Sequence, residues 1–198
     1  RQSKVYFTMN EFPYSNEIKP ALNAFYLYFG GDFSGLVLQE IREYRSLAYS
    51  AGAYCYVPNR LEKQAGFVGY VGTQADKTNE AIDVYYDLVR NMPNKTDRMV
   101  MVKDYLINKL QGDQPSFRYL SRTVDSWKAM EIQEDPRQQL IMQYQDLDYE
   151  DIITFYNDYI KINTVAIAIC GDSREIDLEA LEEHGEVLSL RSKDILKN

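Results

Sequence analysis

Histidine, cysteine and tryptophan are scarce here: 198 residues carry one His, two Cys and one Trp. The shortages of histidine and cysteine each exclude a chemistry. A zinc site of the HExxH kind needs two imidazoles one helical turn apart so that both reach one metal. His184 stands alone in LEEHGEV. The two Cys do not fill the gap, so the chain has no metal ligands and no catalytic residues of its own by this route. A Ser-His-Asp triad would have to recruit His184. Flanked by Glu182, Glu183 and Gly185, that histidine reads as a surface residue near a helix end. Cys55 and Cys170 are too few for a disulfide framework and lack metal-ligand spacing. Each sits inside an apolar or alternating run, which makes them buried free thiols. An independent hydrolase using either one is the weakest reading, since apolar surroundings oppose a reactive thiolate.

Positive charge is short as well. Lys and Arg number 22 against 30 Asp and Glu, for a net charge of −8. No run of basic residues repairs the deficit, which excludes a nucleic-acid backbone binder. The acidic balance fits a solubilised surface or a chamber that tolerates basic peptides. No stretch approaches the roughly 18–20 apolar residues that span a bilayer, and no signal peptide opens the sequence. Because the chain starts at Arg1 and enters a strand-like run within a few residues, it is expected to be a segment of a longer protein. Its compartment stays open on this reading: periplasm or cell envelope if bacterial and secreted, cytoplasm otherwise.

What is abundant is tyrosine, 17 residues beside 8 Phe. Tyr offers large contact area with a polar tip, which suits either a wet core edge or a peptide-binding wall. Hydrophobic residues reach 45% and charged residues 26%, ordinary for a globular domain.

Periodicity predicts the elements. Lys4–Thr8 reads as a first strand, and Asn10–Pro20, with Pro13, Asn16 and Pro20, as a loop. Ala21–Phe29 has helical spacing and is broken by Gly30-Gly31-Asp32, a helix-to-helix turn that lacks any phosphate-loop pattern. A second helix is predicted over Ser34–Arg45, followed by strands Tyr49–Val57 and Gly66–Thr73, the latter placing glycines where something must approach closely. Helices follow over Lys77–Met92, with Asp76 as N-cap, and over Thr96–Gln111, closed by Gly112. Three more are expected at Pro115–Met130, Asp135–Tyr144 and Tyr149–Ile160. Thr164–Ile169 reads as the clearest buried strand, and Val187–Leu190 as a weak last one. The order predicts one layered α+β domain over residues 1–198, with helices packed on one face of an antiparallel or mixed sheet. Carboxylate pairs such as Glu40/Glu43 and Glu182/Glu183 read as solvated helix faces.

One stretch carries more. QEIREYRSLAYSAGAY, Gln39 to Tyr54, runs from a helix end through a tight connection into a strand. With Gly30, Gly31, Ser34 and Leu36 before it, and Arg42, Glu43, Leu47, Ala48, Tyr49 and Ser50 within it, the stretch resembles the inactive, C-terminal-type domains of insulinase/pitrilysin-type zinc metallopeptidases. Thr73–Lys77 with Glu80-Ala81, and Thr164–Gly171, resemble that family's strand-to-helix passage and last core strand. The resemblance implies the fold of mitochondrial processing peptidases and a chamber for peptide or unfolded polypeptide. It implies zinc only in a catalytic partner domain that carries HxxEH, in the same chain or another subunit. It also implies that Arg42 and Tyr49 bind substrate. A guanidinium fork and a phenol together can grip a peptide carbonyl; read without the resemblance, Arg42 pairs with Glu43 and Tyr49 is a strand-edge residue. The family places a second strand, starting with Gln and several apolar residues, before the first helix, where this sequence shows only the loop Asn10–Pro20. A structural or assembly module of the same fold, with no role in proteolysis, is the alternative reading.

Overall fold

A computed structural model describes residues 1–31, 34–191 and 194. Its sheet is antiparallel throughout. Strand β1 (Gln2–Met9) lies between β4 (Gln64–Gln74) and β5 (Val165–Cys170), and β3 (Ala48–Tyr56) pairs with the other edge of β4. A two-residue strand β2 (Phe12–Pro13) adds a rung to β4 at Ala65 and Gln64. The loop expected over Asn10–Pro20 is therefore interrupted by one pairing. Strand β1 starts with Gln2, alternates apolar residues and leads through β2 to the first helix.

Alternation decides the two faces. In β1, Ser3, Val5 and Phe7 are buried while Gln2, Lys4, Tyr6 and Thr8 are exposed. In β4, Ala65, Phe67, Val71 and Thr73 are buried with Gly69 between them. A one-residue slip would exchange these sets, so burial of one face fixes the register.

Helices cover the buried face only. Helix α1 (Lys19–Phe29) lays Phe25 against Phe29, Phe67 and Phe155, with ring centroids 5.3, 6.2 and 5.3 Å apart. Helix α2 (Thr78–Arg90) buries Ile82, Tyr85 and Val89. Its start is a 3₁₀ turn, Ala75–Lys77, and Asp76 does not cap it; the Thr78 hydroxyl instead donates to the carbonyl of Ala75 at 2.8 Å. Helices α3 (Met99–Gly112), α4 (Leu120–Ala129) and α5 (Arg137–Asp146) follow, and the C-cap of α3 is Asp113 rather than Gly112. Helix α6 (Tyr149–Phe155) starts in a capping box between Asp148 and Asp151 and widens into a π-helical turn, Tyr156–Lys161. Among the described residues no helix is long and apolar enough to cross a membrane.

Two sequence readings change. Thr164–Ile169 looked fully buried because Ala166 and Ala168 are apolar; they are exposed, and β5 is an alternating edge strand. Val187–Leu190 forms no strand, and the segment before it ends in a short helix α7 (Leu178–Leu181). The Gly30-Gly31 turn does end α1, both amides donating to the carbonyl of Tyr26. Gly30 abuts β3 so closely that a Cβ there would collide with Ala53, whose amide donates to the Gly30 carbonyl at 3.2 Å. Asp32 lies outside the described residues.

Candidate functional site

The connection from Leu38 to Ser50 is built unusually at each step. Where a helix over Ser34–Arg45 was expected, Leu38–Glu43 is a π-helical turn, with the Tyr44 amide donating to the carbonyl of Gln39 at 2.9 Å. Such wide turns recur at functional sites. Ser46 then ends it in the left-handed region, φ 52°, with its amide donating to the Arg42 carbonyl at 3.0 Å. Left-handed backbone costs a non-glycine residue about 1 kcal/mol, so neighbours must hold it. They do: the Thr73 hydroxyl donates to the carbonyl of Leu47, and Lys77 Nζ to that of Ser46 at 3.3 Å.

A set of charges braces the same turn from below. The Glu40 carboxylate accepts from Lys95 Nζ at 2.8 Å and from Arg45 at 2.6 Å. Burial works to raise its pKa, but those two hydrogen bonds and charges outweigh it, and the group is held below the usual carboxylate range. Buried Arg98 donates to the side-chain oxygen of Gln39. Glu40 is therefore not the solvated helix-face carboxylate the sequence suggests. Lys95 and Arg98 lie more than fifty residues away in the chain and carry no local signal of this role.

This frame presents both expected substrate-binding residues. Arg42 is exposed, and its ionic partner is Glu43 at 3.6 Å; an exposed pair of that length contributes at most about 1 kcal/mol, leaving the guanidinium available. Tyr49 is 46% exposed. No hydrogen bond joins the two among those described. What aims Tyr49 is a break in register: Ala48 faces Thr73 and Ser50 faces Gly72, so Tyr49 is an extra residue, a β-bulge. Strict alternation would point it inward with Ala51 and Ala53. The bulge instead lays its ring over Gly72, on the helix-free side, where a Cβ on the glycine would come within 2.6 Å of the ring.

That side is tyrosine-rich. Tyr6 faces Tyr70 across β1 and β4, Tyr54 lies opposite Val68, and Tyr6, Tyr49 and Tyr54 are each exposed by 44–46%. None of the hydroxyls of Tyr6, Tyr49, Tyr54 and Tyr70 has a partner among the described residues. The sequence signal was there in the tyrosine surplus, but only the register gathers it onto one face.

Other candidates resolve differently. His184 is not loose on the surface: it sits 2.7 Å from the Asp83 carboxylate and against the Tyr86 ring, tethering the C-terminal segment to α2. The Cys55 thiol is partly buried and pushed up to about 12 by that burial, whereas Cys170 is exposed, contrary to the expectation of two buried thiols. Neither is bonded to the other. Among the described residues no group of three His, Cys, Asp or Glu is placed to hold a metal ion.

No family model matches the chain, and no curated protein does. Solved structures do. An inactive peptidase M16 domain from Pseudomonas fluorescens superposes with a TM-score of 0.66 at 18% identity, over 85% of this chain and 40% of that one. A conserved protein from Enterococcus faecalis gives 0.67 at 16%, over 85% and 38%. The inactive peptidase domain assigned to a zinc protease of Bordetella parapertussis gives 0.66 at 10%, over 84% of this chain and 92% of that one. The chain thus spans about two fifths of the first two and nearly all of the third. At these identities the likeness is one of fold: an α+β domain with helices and an open antiparallel sheet, shared with inactive peptidase domains.

Proposed function

We propose that this chain is the non-catalytic, peptide-holding half of a zinc metallopeptidase, completing the substrate chamber with a partner domain that carries HxxEH and the zinc. The observation that carries the reading is the bulge at Tyr49, which moves a phenol from the core side of β3 to an open, tyrosine-lined sheet face. The shared fold with domains described as inactive peptidases supports it, as does a sequence with one histidine. Arg42 offers a planar fork of donors and Tyr49 one directional donor, seven residues apart at the two ends of a braced turn. Together they hold a substrate carbonyl beside the scissile bond and steady the negative charge that develops on its oxygen; zinc held by the partner domain would supply the activated water.

Reconstitution with the catalytic partner domain tests this. Arg42→Ala and Tyr49→Phe each lower kcat/KM on an unfolded peptide by about a hundredfold, the scale of losing one oxyanion donor. Circular dichroism and the unfolding midpoint stay unchanged, because both side chains are exposed. Wild-type kinetics in both variants would remove the assigned role.

A further inference from the structure

We infer that the open sheet face prefers acidic or neutral unfolded segments containing aromatic residues over Lys- and Arg-rich ones, a selectivity that rests on the peptide-holding reading above. The chain has 30 Asp and Glu, yet not one occupies an outward position on β1, β3, β4 or β5. The acids stand on helices and loops. The charge those outward positions do carry is Lys4, opposite Gly72 on one side and Cys170 on the other. Since the Tyr49 ring lies over Gly72, the Lys4 ammonium belongs to the same patch. Lys4 makes no ion pair among the described residues.

Carboxylates do border the face, and three have partners: Glu43 lies 3.6 Å from Arg42. Glu11 accepts from the Tyr56 hydroxyl at 2.7 Å, and Asp172 pairs with Arg174 at 2.9 Å and with Arg1. Acids on the far side of the helices lie across a layer about 10 Å thick. Salt screens them, the Debye length being about 8 Å at physiological ionic strength. Local groups therefore set the preference, not the net charge of −8. Those groups are the Lys4 ammonium, the Arg42 guanidinium on the adjoining turn with Glu43 3.6 Å away, and the free hydroxyls of Tyr6, Tyr49, Tyr54 and Tyr70, the donors among them able to reach a carboxylate or a peptide carbonyl. A basic segment gains ring contacts, but its side chains bring donors only, to a face whose strands hold an ammonium and no carboxylate. Aromatic side chains pack on the tyrosine rings whatever the flanking charge.

Fluorescence anisotropy with two labelled unfolded peptides decides it. They have equal length and aromatic content, one carrying Asp and Glu, the other Lys and Arg at the same positions. The 198-residue chain binds the acidic peptide about fivefold more tightly, the size of one exposed charge contact. Lys4→Glu, at an exposed strand position that leaves the fold intact by circular dichroism, reverses the order. Equal binding of the two peptides, a preference for the basic one, or a Lys4→Glu variant that keeps the wild-type order overturns the selectivity while leaving peptide holding in place. Absence of binding to either peptide overturns both.

Discussion

Strand β4 uses the same device on both of its faces, a tyrosine ring laid across a glycine, and the two copies do opposite things. On the helical side Tyr85 crosses Gly69. Its ring is fully buried, stacks on Phe7 at 4.0 Å, and its hydroxyl donates to the Gly52 carbonyl at 3.0 Å. Every atom of that tyrosine is committed to the fold. On the open side Tyr49 crosses Gly72, 46% exposed and with its hydroxyl unengaged. Here the glycine gives the ring a flat seat while the phenol stays free. What separates structure from candidate function in this molecule is thus not residue type but which side of one strand a tyrosine occupies, and at Tyr49 that side is chosen by a single extra residue.

The sharpest way to break the comparison is to add the same methyl group on both faces. In Gly69→Ala the new Cβ collides with the Tyr85 hydroxyl and ring, which cannot swing out because Phe7 and Phe29 pack against it. Overpacking and a lost buried hydrogen bond together cost about 3 kcal/mol, read as a fall in urea midpoint. In Gly72→Ala the Cβ meets the far end of the Tyr49 ring at 2.6 Å, and that ring has solvent to move into. Stability changes by about 1 kcal/mol or less, since a strand alanine also restricts the unfolded chain. Activity in the reconstituted enzyme nonetheless falls toward the Tyr49→Phe level, because the seat is gone. Equal stability losses in the two variants would show that the faces do not differ as described.

How much of this was legible in the sequence follows from the same geometry. The strand signals in Lys4–Thr8 and Gly66–Thr73 and the helical spacing of α1 and α2 placed the α+β layers correctly, with both strands longer in the fold. A bulge leaves no such trace: Ala-Tyr-Ser-Ala-Gly-Ala reads the same whether or not one residue is unpaired, so the side chosen by Tyr49 was invisible. The π-helical turn kept its apolar residues on one side, Leu38 and Ile41 being buried, and so passed for an ordinary helix. In β5 small apolar residues on the open face imitated a buried run. Arg42 and Tyr49 came from a family resemblance, whereas the brace of Glu40, Lys95 and Arg98 depends on contacts across more than fifty residues that no local pattern encodes.

The two cysteines allow the gentlest test, because each face holds one. Cys55 lies in β3 opposite Phe67, on the helical side, and Cys170 ends β5 opposite Lys4, on the open side. Only the thiolate attacks an alkylating reagent. Burial pushes the Cys55 thiol up to about 12, so almost none of it is ionised near neutral pH, and the residue is only partly accessible. Cys170 is exposed. Native protein treated with iodoacetamide takes up one equivalent, mapped to Cys170 by mass spectrometry, and a second only when urea unfolds it. The adduct replaces a small side chain at an exposed edge position, where surface changes are worth about 0.5 kcal/mol or less, so the melting temperature barely moves. Labelling of native Cys55 at the Cys170 rate would mean that the helical layer opens far more readily than its packing implies, and the contrast between a committed face and an available one would lose its basis.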